Sequence, residues 1–184
     1  MRLISFALIG AVVMLAGACT DRPAPEARAA ETPKLTTLDI PRSIRAEHEE
    51  IHSTLVEATR AEGAVGEAAR ALAAVLDPHF VREEQIALPP LSLVRPLAEG
   101  RFEPWMRAVL PMTDSLRDEL PRMLAEHGEI GTAARRLEQV AREEGNAGVE
   151  HLARKLQLHA RSEEELFYPA AVLVGDLVRA RSLP

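Results

Sequence analysis

Two stretches of the chain place a histidine and a glutamate four residues apart in an otherwise apolar run that then reaches proline. They are HFVREEQIALPPL, residues 79–91, and HARSEEELFYPAA, residues 159–171. Two further histidines stand in AEHEEI, residues 46–51, and AEHGEI, residues 125–130. Imidazole and carboxylate groups are costly to bury without partners. Both groups suit iron, zinc and manganese as ligands, so the pattern indicates a buried metal site.

Four helical stripes would bring these groups to the interior of one bundle. Apolar residues recur at spacings of three and four in each helical segment, and the histidines fall within those stripes. Glu83 and Glu163 each follow a histidine by four residues, which keeps them on the same face of the helix. A carboxylate can bridge two cations, so the set would hold a dinuclear centre. The predicted metal ligands are His48, His52, His79, Glu83, His127, His159 and Glu163.

His52 is the open case among these residues. It follows His48 by four residues and adjoins the apolar stripe at Ile51, which would suit a fifth histidine ligand. Its counterpart in the second half of the chain is Gly131, so the internal repeat does not support it. The sequence alone leaves both alternatives open.

Other polar residues near the stripes are predicted to take no part in the centre. Glu84 and Glu164 lie about 140° around the helix from the preceding histidine and are expected in solvent. His151 lies close to the stripe of the fourth helix and is expected to be structural. Tyr168 follows Glu163 by five residues and could either hydrogen-bond near the site or point outward. A regular helix does not bring that position onto the stripe, which favours the outward orientation.

Four predicted helices position the ligands. They span residues 42–62, 65–88, 113–144 and 147–179, and residues 91–112 form a long connection rich in proline. The predicted stripes of the third and fourth helices are Leu120, Leu124, His127, Ile130, Ala134 and Leu137, and Val149, Leu152, Leu156, His159, Glu163, Leu166, Ala170, Leu173 and Leu177. The two halves of the chain repeat the same motifs. The fold class is therefore all-α: an up-down four-helix bundle with a long connection between helices 2 and 3 and a pseudo-twofold internal repeat.

The two AEH motifs and the two HxxxEE motifs resemble those of the hemerythrin-like, or HHE cation-binding, family over residues 41–175. The resemblance implies a non-haem centre of two iron ions, bridged here by Glu83 and Glu163, although zinc or manganese would also suit the ligands. Oxygen-carrying hemerythrins have HxxxH in helix 3 and an aspartate as the last acidic ligand. This chain has HxxxH in helix 1 and a glutamate at that place, so it is similar to the broader bacterial group.

Composition limits the possible functions. The chain has 184 residues, of which 47% are hydrophobic and 27% charged, enough for one globular domain. A formal net charge of −6 gives no general basic surface for nucleic acid. No pattern indicates a dedicated nucleophile or a substrate pocket, which favours a binding or sensing protein over an enzyme.

The N-terminal residues have a different pattern from the domain. Arg2 precedes an apolar run that ends at Ala18, and Cys19, the single cysteine, follows it in a stretch that resembles a bacterial lipobox. We expect a signal peptide at 1–18, a lipid-anchored flexible tether at 19–40 and the bundle at 41–180. The protein would then be periplasmic and tethered to a membrane by lipidated Cys19. The alternative is a soluble secreted protein with an unmodified cysteine.

Three functions fit this sequence. The first is a di-iron protein of the cell envelope that binds or senses O2, or else NO or peroxide. The second is an enzyme, in which the same centre acts as an oxidase, peroxidase or ferroxidase. The third is a metal-binding lipoprotein without redox chemistry, holding for example zinc. The sequence names no partner protein.

Overall fold

The computed structural model describes residues 38–182. The predicted signal peptide, Cys19 and nearly all of the predicted tether lie outside the described residues. Within them the elements are α1 (Arg42–Thr59), α2 (Gly63–Ile86), a 3-10 helix (Pro89–Leu93), α3 (Val94–Ala98), a second 3-10 helix (Pro104–Val109), α4 (Leu110–Glu143), α5 (Ala147–Ser162), a π-helical turn (Glu163–Phe167) and α6 (Tyr168–Arg181). No helix in this part of the chain is both long and apolar enough to cross a bilayer.

The long helices form a four-helix bundle, which confirms the predicted all-α fold. Its rods are α1, α2, α4 and the continuous rod made of α5, the π-helical turn and α6. Helix α2 packs between α1 and α4, and α5 packs against α4 and α1. Gly63, the first residue of α2, and Gly145, in the turn after α4, adopt positive φ, 73° and 70°, where the chain reverses direction. The longer connection between α2 and α4 carries α3 and both 3-10 helices.

The apolar core has a cluster on each side of the predicted ligand level. One cluster includes Ile51 of α1 and Ile130 of α4, each three residues after its stripe histidine. The other includes Ile44 and Met123, each four residues before it. The histidines therefore lie between two layers of buried apolar side chains. Removal of apolar surface from water in both layers stabilises the bundle and fixes the depth at which the polar groups meet.

Three of the four stripe positions predicted beyond Glu163 are wrong, while the fourth, Ala170, is half-buried against the core. Leu166 and Leu173 are 62% and 65% exposed, and Leu177 is also exposed. The buried positions instead are Tyr168, Ala171, Val174, Gly175 and Val178. The π-helical turn explains the difference, because its i→i+5 bonding inserts one residue and moves each later stripe position on by about one.

Two smaller features complete the packing around α4. The predicted stripe residue Leu124 is exposed, and Met123 is buried in its place, four residues before His127. A Cβ at Gly175 would lie 2.3 Å from Thr113 Oγ1, so glycine allows α6 to pack closely against α4.

Candidate metal centre

Six of the seven predicted ligands converge at one level of the bundle. Each of these side chains is at most 5% exposed. Their donor atoms form two overlapping groups in which all atoms lie within 4.8 Å of one another. The groups are His79, Glu83, His127 and Glu163, and His48, His159 and Glu163.

The centre has two halves that differ in the aromatic residue beside them. We call His79, His127 and the adjacent Tyr168 the tyrosine half, and His48, His159 and the adjacent Phe80 the phenylalanine half. The imidazole rings of His79 and His127 have centroids 4.6 Å apart. The corresponding distance in the phenylalanine half is 4.9 Å. Each half therefore pairs two histidines from two different rods.

Both glutamates reach both halves. Glu163 Oε1 lies 2.8 Å from His159 Nε2 and 3.4 Å from His48 Nε2, while its Oε2 lies 3.4 Å from His127 Nε2. Glu83 Oε1 lies 3.4 Å from His79 Nε2, and its Oε2 lies 3.9 Å from His48 Nε2. Each carboxylate thus presents one oxygen to each half, which is the arrangement of a bridging ligand.

Tyr168 belongs to the site, contrary to the sequence-based prediction. Its side chain is 1% exposed, and its hydroxyl donates a hydrogen bond to Glu83 Oε1. The same hydroxyl oxygen lies 3.1 Å from His127 Nε2 and 3.5 Å from His79 Nε2. The π-helical turn from Glu163 to Phe167 causes this, because in π geometry a residue five positions on returns to the same face.

Four outer glutamates contact the Nδ1 atoms of the four converging histidines. His79 Nδ1 donates to Glu126 at 2.9 Å, and His127 Nδ1 donates to Glu164 at 2.9 Å. The contacts in the phenylalanine half are longer: His48 Nδ1 lies 3.3 Å from Glu84, and His159 Nδ1 lies 3.5 Å from Glu47. Glu84 and Glu164 are exposed, as predicted. Their contacts with His48 and His127 were not predicted from the sequence. A carboxylate on Nδ1 favours the tautomer whose Nε2 lone pair faces inward.

The electrostatics of the two bridging carboxyls differ. Burial, and then the neighbouring Glu163 charge, raises the pKa of Glu83 above its ordinary value. Burial acts in the same direction on Glu163, but contacts with His127, His159 and His48 outweigh it and hold the Glu163 pKa well below the ordinary value. Burial, together with the charges of both carboxylates, also raises the pKa of the Tyr168 hydroxyl. Glu163 is thus the carboxylate best held in its charged form.

Several buried polar atoms of the centre lack a hydrogen-bond partner among the described residues. Glu83 Oε2 and both ring nitrogens of His159 are buried and have no hydrogen-bond partner within the described part of the chain. His159 Nε2 is close to Glu163 but is not aligned to donate to it. Buried polar groups in this state cost on the order of 1–3 kcal/mol each. A cation bound by inward-facing nitrogens and carboxylate oxygens would satisfy Glu83 Oε2 and His159 Nε2, so the donor set fits a metal.

The structure does not bring His52 to this cluster. Its side chain is 54% exposed, and its Nε2 lies 3.8 Å from Asp77 Oδ1. It lines an open surface groove of about 350 Å³ together with His48 and Phe80. Three carboxylate side chains also line the groove, those of Glu49, Asp77 and Glu84. His151 lies on the surface of α5.

Two sequence signals for the missed residues were present. Each outer glutamate is adjacent in sequence to a predicted ligand: Glu47 and Glu126 precede histidines, and Glu84 and Glu164 follow glutamates. Their occurrence at equivalent places in both halves of the repeat was the available signal. No comparable repeat identifies Tyr168, since the equivalent position in the first half is Leu88.

The fold and the buried histidine–glutamate cluster define a metal-binding four-helix protein. The sequence matches the hemerythrin HHE cation binding domain over residues 39–171, so the chain belongs to that family. Neither a curated protein nor a solved structure shows a significant match to the chain. The protein is a hemerythrin-like, cation-binding protein whose converging side chains come from all four rods of the bundle.

Proposed function

We propose that this protein is a non-haem di-iron protein that binds or senses O2, or a related small ligand such as NO or peroxide. The observation that carries the proposal is that Glu83 and Glu163 each contact histidines of both halves. A site for one ion does not need two carboxylates that span two pairs of imidazoles, whereas a dinuclear centre does. His79 and His127 would hold one ion, and His48 and His159 the other.

Two ferrous ions can supply electrons to O2, and the chain's own residues decide whether that exchange stays reversible. The apolar clusters on both sides of the centre limit the access of water and protons. The Phe80 ring stacks on the His48 imidazole at a centroid distance of 4.0 Å and covers one face of that ring. The outer glutamates hold the Nδ1 protons of His48, His79 and His127, so their Nε2 atoms are available as ligands.

Anaerobic loading with Fe(II), followed by exposure to air and then to vacuum, tests this proposal. We expect about two irons per chain and visible charge-transfer bands that appear in air and fade when O2 is removed. His151→Ala is the matched control, because this surface histidine should leave both measurements unchanged. Iron content well below this value, with no optical response to O2, NO or peroxide, would contradict the proposal.

The surface groove beside His48 favours ferroxidase activity as a second candidate. Glu49, Asp77 and Glu84 line this groove and would attract Fe(II) towards the phenylalanine half. Continuous oxidation of excess Fe(II) in air, slowed in the Asp77→Asn variant, would select this candidate over reversible binding. Fe(II) consumption that stops after the centre is filled would exclude it.

We also propose that the protein acts in the periplasm, tethered to a membrane through Cys19. The support is the charged start, the short apolar run and the single cysteine that follows it. Metabolic labelling with a radioactive fatty acid should mark the wild-type chain but not a Cys19→Ser variant. Equal labelling of both, or recovery of the unlabelled wild type in the soluble fraction, would contradict this location.

A further inference from the structure

We propose that the phenolic oxygen of Tyr168 is a ligand of the metal ion in the tyrosine half, so that the two metal positions have different protein ligands. The inference rests on the proposed function, because it requires a metal in the centre. It adds a protein oxygen donor that the histidine and glutamate motifs do not predict, and it assigns that donor to one half only.

The hydroxyl oxygen of Tyr168 lies close to the Nε2 atoms of both histidines of the tyrosine half. In an octahedral site with bonds of ~2.1 Å, neighbouring ligand atoms lie about 3 Å apart. The Tyr168 oxygen lies 3.1 Å from His127 Nε2 and 3.5 Å from His79 Nε2. His79 Nε2 and Glu83 Oε1 have a similar separation of 3.4 Å. The phenolic oxygen therefore stands among the donor atoms of this half at the spacing of a ligand.

The surrounding structure holds the phenol in this place. The Tyr168 ring stacks on the His127 imidazole with an interplanar angle of 20° and a centroid distance of 5.6 Å. The residue is also a member of the core cluster that contains Leu88 and Met123. The π-helical turn that delivers it is the one departure from α-helical bonding in the fourth rod between Ala147 and Arg181. The hydroxyl is thus fixed by packing on a rigid element.

Among residues 38–182, the structure places no equivalent oxygen in the phenylalanine half. The repeat position that corresponds to Tyr168 is Leu88, a fully buried apolar residue. The aromatic ring on this side is Phe80, which stacks on His48 and carries no donor atom. The metal position in this half would therefore have one protein ligand fewer, which makes it the half with room for an external small ligand.

Coordination by Tyr168 involves a proton but no electron. The phenolic O–H bond would break, an oxygen–metal bond would form, and the proton would pass to solvent by way of Glu83, which accepts the hydrogen bond of the hydroxyl. No oxidant or reductant is consumed. The hydrogen bond that the hydroxyl now donates to Glu83 Oε1 is lost in this exchange, which frees that carboxylate oxygen to bind the same ion.

The test uses the ferric-loaded full-length protein, because a phenolate bound to Fe(III) gives a visible charge-transfer band. Resonance Raman spectra excited in that band show tyrosinate ring modes. Tyr168 is the single tyrosine of the chain, so any such modes report on this residue alone. We expect the band and the modes in the wild type, and a shift of the modes when the protein is grown on ring-deuterated tyrosine.

Two variants complete the experiment. Tyr168→Phe should lose the band and bind one of its two irons about tenfold more weakly. Phe167→Leu, a change in the same turn, should keep the band. A wild-type protein that holds two irons without tyrosinate modes, or a Tyr168→Phe protein that keeps the band, would overturn the inference and leave the proposed function standing. A wild-type protein that binds no iron would overturn both.

Discussion

The two halves of the centre each have two of the predicted histidine ligands and share both glutamates, and they differ in the residues beside them. His79 and His127 on one side correspond by the internal repeat to His159 and His48 on the other. The differences lie at two repeat positions beside the ligands. Tyr168 stands where the first half of the chain has Leu88, and Phe80 stands where the second half has Ala160.

Two metal positions built from repeated histidines and glutamates can therefore differ in their surroundings. The tyrosine half gains a buried hydroxyl and has shorter Nδ1 contacts to its outer glutamates, 2.9 Å for both histidines. The phenylalanine half has longer contacts, 3.3 Å and 3.5 Å, and an aromatic ring stacked on one ligand. We therefore expect the first to hold its metal firmly and the second to exchange external ligands.

The largest expected effect comes from removing the carboxylate that the two halves share. Glu163→Gln should release both ions, because Glu163 contacts His48, His127 and His159 and is the charged partner of the site. Metal analysis after gel filtration measures this loss. Glu165→Gln, an exposed change in the same turn, is the control and should keep full metal content. A Glu163→Gln protein that still held both ions would show that this residue does not bridge the halves.

Single histidine variants should separate the two halves. His79→Ala and His159→Ala should each lose at least half of the bound metal and melt at a lower temperature, because bound metal stabilises the folded state by mass action. The tyrosinate band should survive His159→Ala and disappear in His79→Ala. Calorimetry and absorption spectra measure both effects. If either folded variant kept its full metal content, that histidine would not be a ligand.

Phe80→Ala should weaken the phenylalanine half and the core together. Phe80 is buried and stacks on His48, and loss of a buried phenylalanine costs about 3 kcal/mol of unfolding free energy. Urea unfolding of the metal-free protein measures this cost. Val81→Ala, an exposed neighbour, should change the free energy by less than about 0.5 kcal/mol. Equal stability of the two variants would mean that the ring contributes little to the packing of this half.

The smallest expected effect concerns the outer glutamates. Glu126→Ala should lower metal affinity about tenfold or more, because Glu126 accepts the His79 Nδ1 proton at 2.9 Å. Glu84→Ala should have a smaller effect, since its contact with His48 is 3.3 Å. Competition with a chelator measures both affinities. A larger loss of metal affinity in Glu84→Ala than in Glu126→Ala would contradict the proposed link between shorter Nδ1–carboxylate contacts and tighter metal binding.

The sequence predicted the bundle and the six converging side chains because helical periodicity fixes which residues share a face. Each of these six residues lies within an apolar stripe, and the stripes have to meet in the core. The same rule fails where the backbone departs from 3.6 residues per turn. The π-helical turn places Leu166 and Leu173 on the surface and Tyr168 in the core. No local residue pattern predicted this turn.

The outer glutamates and His52 show a second limit of sequence reasoning. Helical angle predicted correctly that Glu84 and Glu164 are exposed, but it says nothing about contacts that cross to a neighbouring helix. The spacing of His52 from His48 suited a ligand, since Glu83 and Glu163 follow their histidines by the same four residues and are buried. The side chain of His52 nevertheless lies at the surface groove beside Asp77. Contacts between rods depend on packing distances that one sequence does not contain.

The central claim is that Glu83 and Glu163 bridge two metal ions between the halves. X-ray absorption spectroscopy of the iron-loaded protein, combined with metal analysis of the same sample, tests it most directly. We expect about two irons per chain, with an iron–iron scattering vector of about 3.5 Å. A fully loaded protein with a single iron, or with two irons and no iron neighbour at that distance, would contradict it.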